Sequence, residues 1–65
     1  MSLVENKVSL ITGAGSGIGK ATAVAFANDG AQVVCADLNF EAAQETAATI
    51  TNNGGTSLAL QLDVS

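Results

Sequence analysis

Histidine, tyrosine, tryptophan and proline are absent from these 65 residues, and two phenylalanines are the only aromatics. Without histidine or tyrosine the chain lacks the side chains most often used to move protons near neutral pH. Positive charge is scarce too: Lys7 and Lys20 stand against Glu5, Asp29, Asp37, Glu41, Glu45 and Asp63, for a net charge of -4. A nucleic-acid backbone is held by clustered lysine and arginine, so no nucleic-acid partner is expected. A lone cysteine, Cys35, excludes an internal disulfide and, with no histidine to join it, a zinc site. It also fits a reducing, cytoplasmic setting. Apolar runs are only a few residues long and no basic stretch opens the chain, so neither a signal peptide nor a membrane span is expected.

What is present is apolar: 48% hydrophobic residues against 12% charged, a balance that favours a buried core over disorder. The length allows one small domain, marginal in the surface it can bury. The segment KVSLIT, Lys7 to Thr12, is rich in β-branched residues and stops at glycine, predicting a strand. GIGKATAVAFAN, Gly17 to Asn28, is made of strong helix formers, and NDG closes it. AQVVCAD, Ala31 to Asp37, reads as a strand buried on both faces. A second helix, Phe40 to Ile50, follows the capping residue Asn39, with Ala43, Ala47 and Ile50 on one side. Finally TSLALQLDV alternates, with Leu58, Leu60 and Leu62 opposite Ser57, Ala59 and Gln61. The alternation of strand and helix predicts an α/β fold: a three-stranded parallel sheet of order 3-2-1 with both helices on one face.

Four of the seven glycines fall in ITGAGSGIGKA, Ile11 to Ala21, where the first strand passes into the first helix. Glycine there allows a tight turn and a close backbone approach, and the helix start offers free N–H groups and a positive dipole end to a phosphate. A plain strand-to-helix turn is the competing explanation. The loop spells neither G-x-G-x-x-G nor a phosphate-binding P-loop, since Lys20 is followed by Ala21. It spells T-G-x-x-x-G-x-G, with Thr12, Gly13, Gly17 and Gly19.

In this loop, and in GAQVVCADLN and LQLDVS at the matching spacing, the chain resembles the short-chain dehydrogenase/reductase family. The resemblance spans nearly all 65 residues. It implies that they form the βαβαβ half of a Rossmann-type, NAD-binding domain, the amino-terminal part of a longer single-domain fold. It also implies that Gly13, Ser16, Gly17, Ile18 and Gly19 wrap the pyrophosphate of the cofactor. Asp37, eighteen residues beyond Gly19, would bond the adenosine ribose hydroxyls, although a solvated carboxylate or a turn former is the alternative. With no positive charge at Ser16 or Leu38 to meet a 2′-phosphate, the cofactor expected is NAD. Asp63 and Val64 match the family's adenine-contacting pair, against the alternative of an ordinary strand-end turn. Cys35 reads as a small core residue and Lys20 as a solvated side chain.

The family's tyrosine acid/base, its lysine and its serine lie beyond the third strand, and this chain has no tyrosine. No catalytic residue is therefore assigned, and the 65 residues alone are expected to be inactive. Three readings follow: part of an NAD-dependent oxidoreductase acting on an alcohol or carbonyl, a stand-alone adenine-nucleotide-binding module, or a self-associating minimal fold. The folded form is expected to self-associate, through a bare sheet face or the free edge of the first strand, with a partly unfolded monomer as the alternative.

Overall fold

A computed structural model of the chain describes residues 7–63. Three strands and two helices alternate: β1 (Val8–Thr12), α1 (Gly17–Asn28), β2 (Gln32–Asp37), α2 (Phe40–Asn52) and β3 (Thr56–Gln61). The strands are all parallel and adjacent in the order β1-β2-β3, as expected. Leu10 pairs with Val34 and Val34 with Leu58; Ile11 pairs with Cys35 and Cys35 with Ala59. The expected elements form with small changes at their ends. β3 stops at Gln61, and α2 continues past Ile50 to Asn52.

That extension has a local cause. Gly54 sits at φ 89, in the left-handed region, and donates its N–H to the Thr51 carbonyl at 3.0 Å, while Gly55 donates to the Ile50 carbonyl at 2.9 Å. These two bonds form a Schellman stop, which satisfies carbonyls that a helix end leaves open. The same pair ends α1: Gly30, at φ 96, donates to Ala27, and Ala31 donates to Phe26, both at 3.0 Å. Each helix is thereby turned straight into the next strand.

Both helices lie on one face of the sheet, where Ile11, Val33, Cys35 and Ala59 meet Ala23, Ala43, Ala47 and Ile50. The helix residues at this contact are mostly alanine, so the helices approach closely and the core is thin. Ser57 reinforces it by donating to the Ala47 carbonyl at 2.6 Å. Burial pushes the Cys35 thiol above its ordinary pKa, in keeping with a core role. On the other face Val8, Leu10, Leu58 and Leu60 are 48% to 70% exposed. Ala36, flanked there by Thr12 and Leu60, is buried. Among the described residues no helix is long and apolar enough to cross a membrane.

Ile50 is the largest fully buried side chain. Ile50→Ala is expected to cost about 2–5 kcal/mol, most of what so small a chain can hold, and Ile50→Val about 0.5–1.5 kcal/mol. Urea unfolding followed by circular dichroism checks this: a retained midpoint in the alanine variant contradicts the assignment of Ile50 as the centre of the core.

Candidate functional site

The carboxyl ends of the strands carry a loop that is held on three sides. Gly13 turns the chain at φ 66, a conformation open to glycine and strained for most other residues. Ala14 follows and is fully buried; its N–H donates to the Ala36 carbonyl at 3.0 Å and its carbonyl accepts from Thr46 Oγ1 at 2.8 Å. Ser16 then caps α1, its Oγ accepting from the Gly19 N–H at 3.2 Å and donating to the Gly13 carbonyl at 2.8 Å. At Gly19 a Cβ would strike the Gly13 carbonyl, so close packing of helix on loop accounts for that glycine.

Gly17 is different. Its φ is not positive, and a Cβ built there meets nothing within 4 Å. Neither turn geometry nor packing requires glycine at this position. The N–H groups of Gly17 and Ile18 have no acceptor among the described residues, and the Ile18 side chain is 85% exposed beside them. Two donors without a partner among the described residues thus stand at the positive end of a helix, beside open space into which a Cβ at Gly17 would project.

Asp37 closes the site from β2. Its Oδ1 accepts the Asn39 N–H at 3.0 Å and its Oδ2 the Gly15 N–H at 2.9 Å. The Asn39 amide and then the Gly15 amide hold the carboxyl below its ordinary pKa, against a smaller opposing effect of burial and with a slight further contribution from the Leu38 amide. Leu38 is exposed next to it. The Leu62 N–H donates to the Asp37 carbonyl at 3.0 Å, which carries Asp63 to the same edge of the sheet. Gly13, Ser16, Gly17, Ile18, Gly19, Asp37, Leu38 and Asp63 thus share one edge, and Val64 lies outside the described residues. Lys20 is exposed on α1.

Two participants escape a reading by motif. Gly15 occupies an unspecified position of the T-G-x-x-x-G-x-G pattern, yet its amide reaches Asp37. Thr46 is the polar member of the inward face formed by Ala43, Ala47 and Ile50, and that interruption is its only signal. Among the described residues no group of three or more histidine, cysteine, aspartate or glutamate side chains is set to hold a metal.

A family model for short chain dehydrogenases matches residues 7–65. The chain belongs to the short-chain dehydrogenase family. It is 49% identical over its whole length to the uncharacterized oxidoreductase YxbG of Bacillus subtilis (strain 168), covering 24% of that protein. It is 58% identical over 50 residues to a cyclohexanol dehydrogenase of Acinetobacter sp. (strain SE19), covering 77% of this chain and 20% of the relative. Among solved structures it is similar to a hydroxysteroid dehydrogenase from Escherichia coli, with a TM-score of 0.89 and 43% identity over 92% of this chain and 26% of the other. The same score and identity relate it to a 7α-hydroxysteroid dehydrogenase complexed with NADH and 7-oxo glycochenodeoxycholic acid, covering 92% of this chain and 24% of the other. This short-chain dehydrogenase chain spans a quarter or less of the length of the curated relatives it matches.

The two amides on Asp37 tie stability to pH. Because its pKa is lower folded than unfolded, the carboxylate's contribution is complete above the unfolded value and is lost as pH falls through the folded one. Urea midpoints measured from neutral pH into acid are expected to fall less steeply for Asp37→Asn than for the wild type. Parallel acid limbs would contradict the geometry.

Proposed function

We propose that this chain is the dinucleotide-binding part of a longer short-chain dehydrogenase that oxidises an alcohol or reduces a carbonyl, and that its cofactor is NAD. The observation that carries the reading is Gly17, a glycine with no structural need to be one, at a helix start with two free donors. A pyrophosphate fits that opening: the Gly17 and Ile18 amides donate to its oxygens, and the α1 dipole favours its charge. Asp37 accepts from the adenosine ribose hydroxyls, and Asp63 borders the adenine. The cofactor supplies the hydride acceptor or donor; the residues of this chain hold it and exclude a 2′-phosphate. Asp37 is ionised at neutral pH, and neither Ser16 nor Leu38 offers a compensating cation, so NADP meets repulsion. The NADH-bound hydroxysteroid dehydrogenase of similar fold supports a nicotinamide dinucleotide, and the cyclohexanol dehydrogenase supports an alcohol as substrate. Calorimetry with NAD and NADP tests the reading. Binding of NAD in preference to NADP is expected, abolished by Gly17→Val and shifted toward NADP by Asp37→Ala with Leu38→Arg. Unchanged binding by the Gly17 variant overturns it, and tighter NADP binding by the wild type overturns the choice of cofactor.

The open sheet face supports a second part of the proposal, that the 65-residue chain by itself associates with further copies. Leu10, Val34 and Leu58 form one row across that face, Val8 and Leu60 flank it, and among the described residues the outer edge of β1 has no neighbouring strand. Each large apolar side chain left in water forgoes about 1.5–3 kcal/mol. Sedimentation over a concentration series is expected to reveal dimers or larger species with the α/β spectrum retained. A well-folded monomer at every concentration overturns it.

A further inference from the structure

Gly15 is the glycine of the loop that the fingerprint does not name, and its surroundings differ from those of the others. Its φ is not positive, so no turn demands it. Space demands it instead: a Cβ at Gly15 would collide with Ala42 Cβ on α2 and come within 3.0 Å of Asp37 Oδ2. The backbone of the loop therefore lies flat against the carboxylate and the first turn of α2, and the Gly15 N–H reaches Oδ2 at 2.9 Å.

The remaining valence of Asp37 follows. An ionised carboxylate offers about four acceptor positions, two on each oxygen. The Asn39 amide takes one on Oδ1 and the Gly15 amide takes one on Oδ2, with the Leu38 amide adding a weaker interaction. Beside these bonds the two oxygens keep acceptor capacity, which two hydroxyls on neighbouring carbons can fill. The two amides come from separate elements, the loop and the start of α2, so together they fix the rotation of the carboxylate as well as its position.

We infer that Gly15 is a positioning residue for cofactor selectivity: its amide and its missing side chain seat the Asp37 carboxylate so that its oxygens present their remaining acceptor capacity to an adenosine ribose diol. The assignment rests on the reading of Asp37 as the diol acceptor. It makes selectivity a property of the pair Gly15 and Asp37. Any side chain at position 15 pushes α2 outward or turns the carboxylate, even with Asp37 intact.

The test uses the 65-residue chain, Gly15→Ala, and Gly15→Ala combined with Ala42→Gly. The second change removes the Cβ collision on α2 and keeps the approach to Asp37 Oδ2, so the pair remains informative if the single variant does not fold. Two quantities are read on proteins whose amide NMR spectra are folded: the titration of the Asp37 carboxyl carbon, and the ratio of NAD to NADP dissociation constants. In the double variant the carboxyl pKa is expected to rise toward its ordinary value. The preference for NAD is expected to fall roughly tenfold, the worth of one hydrogen bond to a charged group. A folded variant that keeps both the low titration and the preference overturns the role of Gly15 while leaving the reading of Asp37 intact. Loss of preference with an unchanged titration overturns the carboxylate route. A wild-type chain that binds NAD and NADP alike, or neither, overturns the reading of Asp37 and the role of Gly15 with it.

Discussion

The peptide group of Ala14 is the fixed point of this structure. It is buried, so its N–H and its carbonyl each carry a penalty of about 1–3 kcal/mol if left unpaired. β1 ends at Thr12 and cannot supply either partner. The N–H is met by the end of β2, at Ala36, and the carbonyl by Thr46, from the middle of α2. Two elements later in the chain thus hold a loop that would otherwise be a free strand-to-helix connection. With Ala14 pinned, Gly13 must turn before it and Ser16 must start α1 after it. The direction in which the Gly17 and Ile18 amides face follows from those two requirements.

The same economy governs the two faces of the sheet. Short βα and αβ connections, the αβ ones closed by Schellman turns, put both helices on one side. That side takes the small residues: Cys35, Ser57 and Ala59 lie beneath alanine-lined helices. The larger leucines go to the side without helices. A sheet that alternates along every strand can be well covered on one face and apolar on the other.

Much of this was legible in the sequence because each signal was local. Glycine after a β-branched run, a cap at Asn39, and glycine after ND or TNN act within a few residues, and the elements form where they point. The alternation of β3 was legible too, but not which of its sides is covered. Alternation carries no sign, and here Ser57 faces inward because its hydroxyl reaches the Ala47 carbonyl. Gly15 and Thr46 were silent for another reason. Their partners, Asp37 and Ala14, lie 22 and 32 residues away, and no short pattern encodes a contact made only when two helices settle on the sheet.

A chain of net charge -4 is an unpromising host for a pyrophosphate, and the site gives physical terms to that conflict. Beyond a Debye length of about 8 Å an exposed acidic side chain is largely screened. Asp37 is not remote, but its charge is partly spent on the Asn39 and Gly15 amides, which take one acceptor position on each oxygen. Attraction in the proposed site comes from the Gly17 and Ile18 donors and the helix dipole, which act at contact range and carry no net charge of their own. Such a site separates ligands by where their charge lies rather than by how much they carry. On the proposed reading a phosphate at the amides is held and a phosphate at Asp37 is refused, because an ionised carboxylate stands there with no cation at Ser16 or Leu38 to offset it. The scarcity of lysine and arginine thus becomes part of the discrimination: a cation near Leu38 would neutralise the refusal and leave the binding half unchanged.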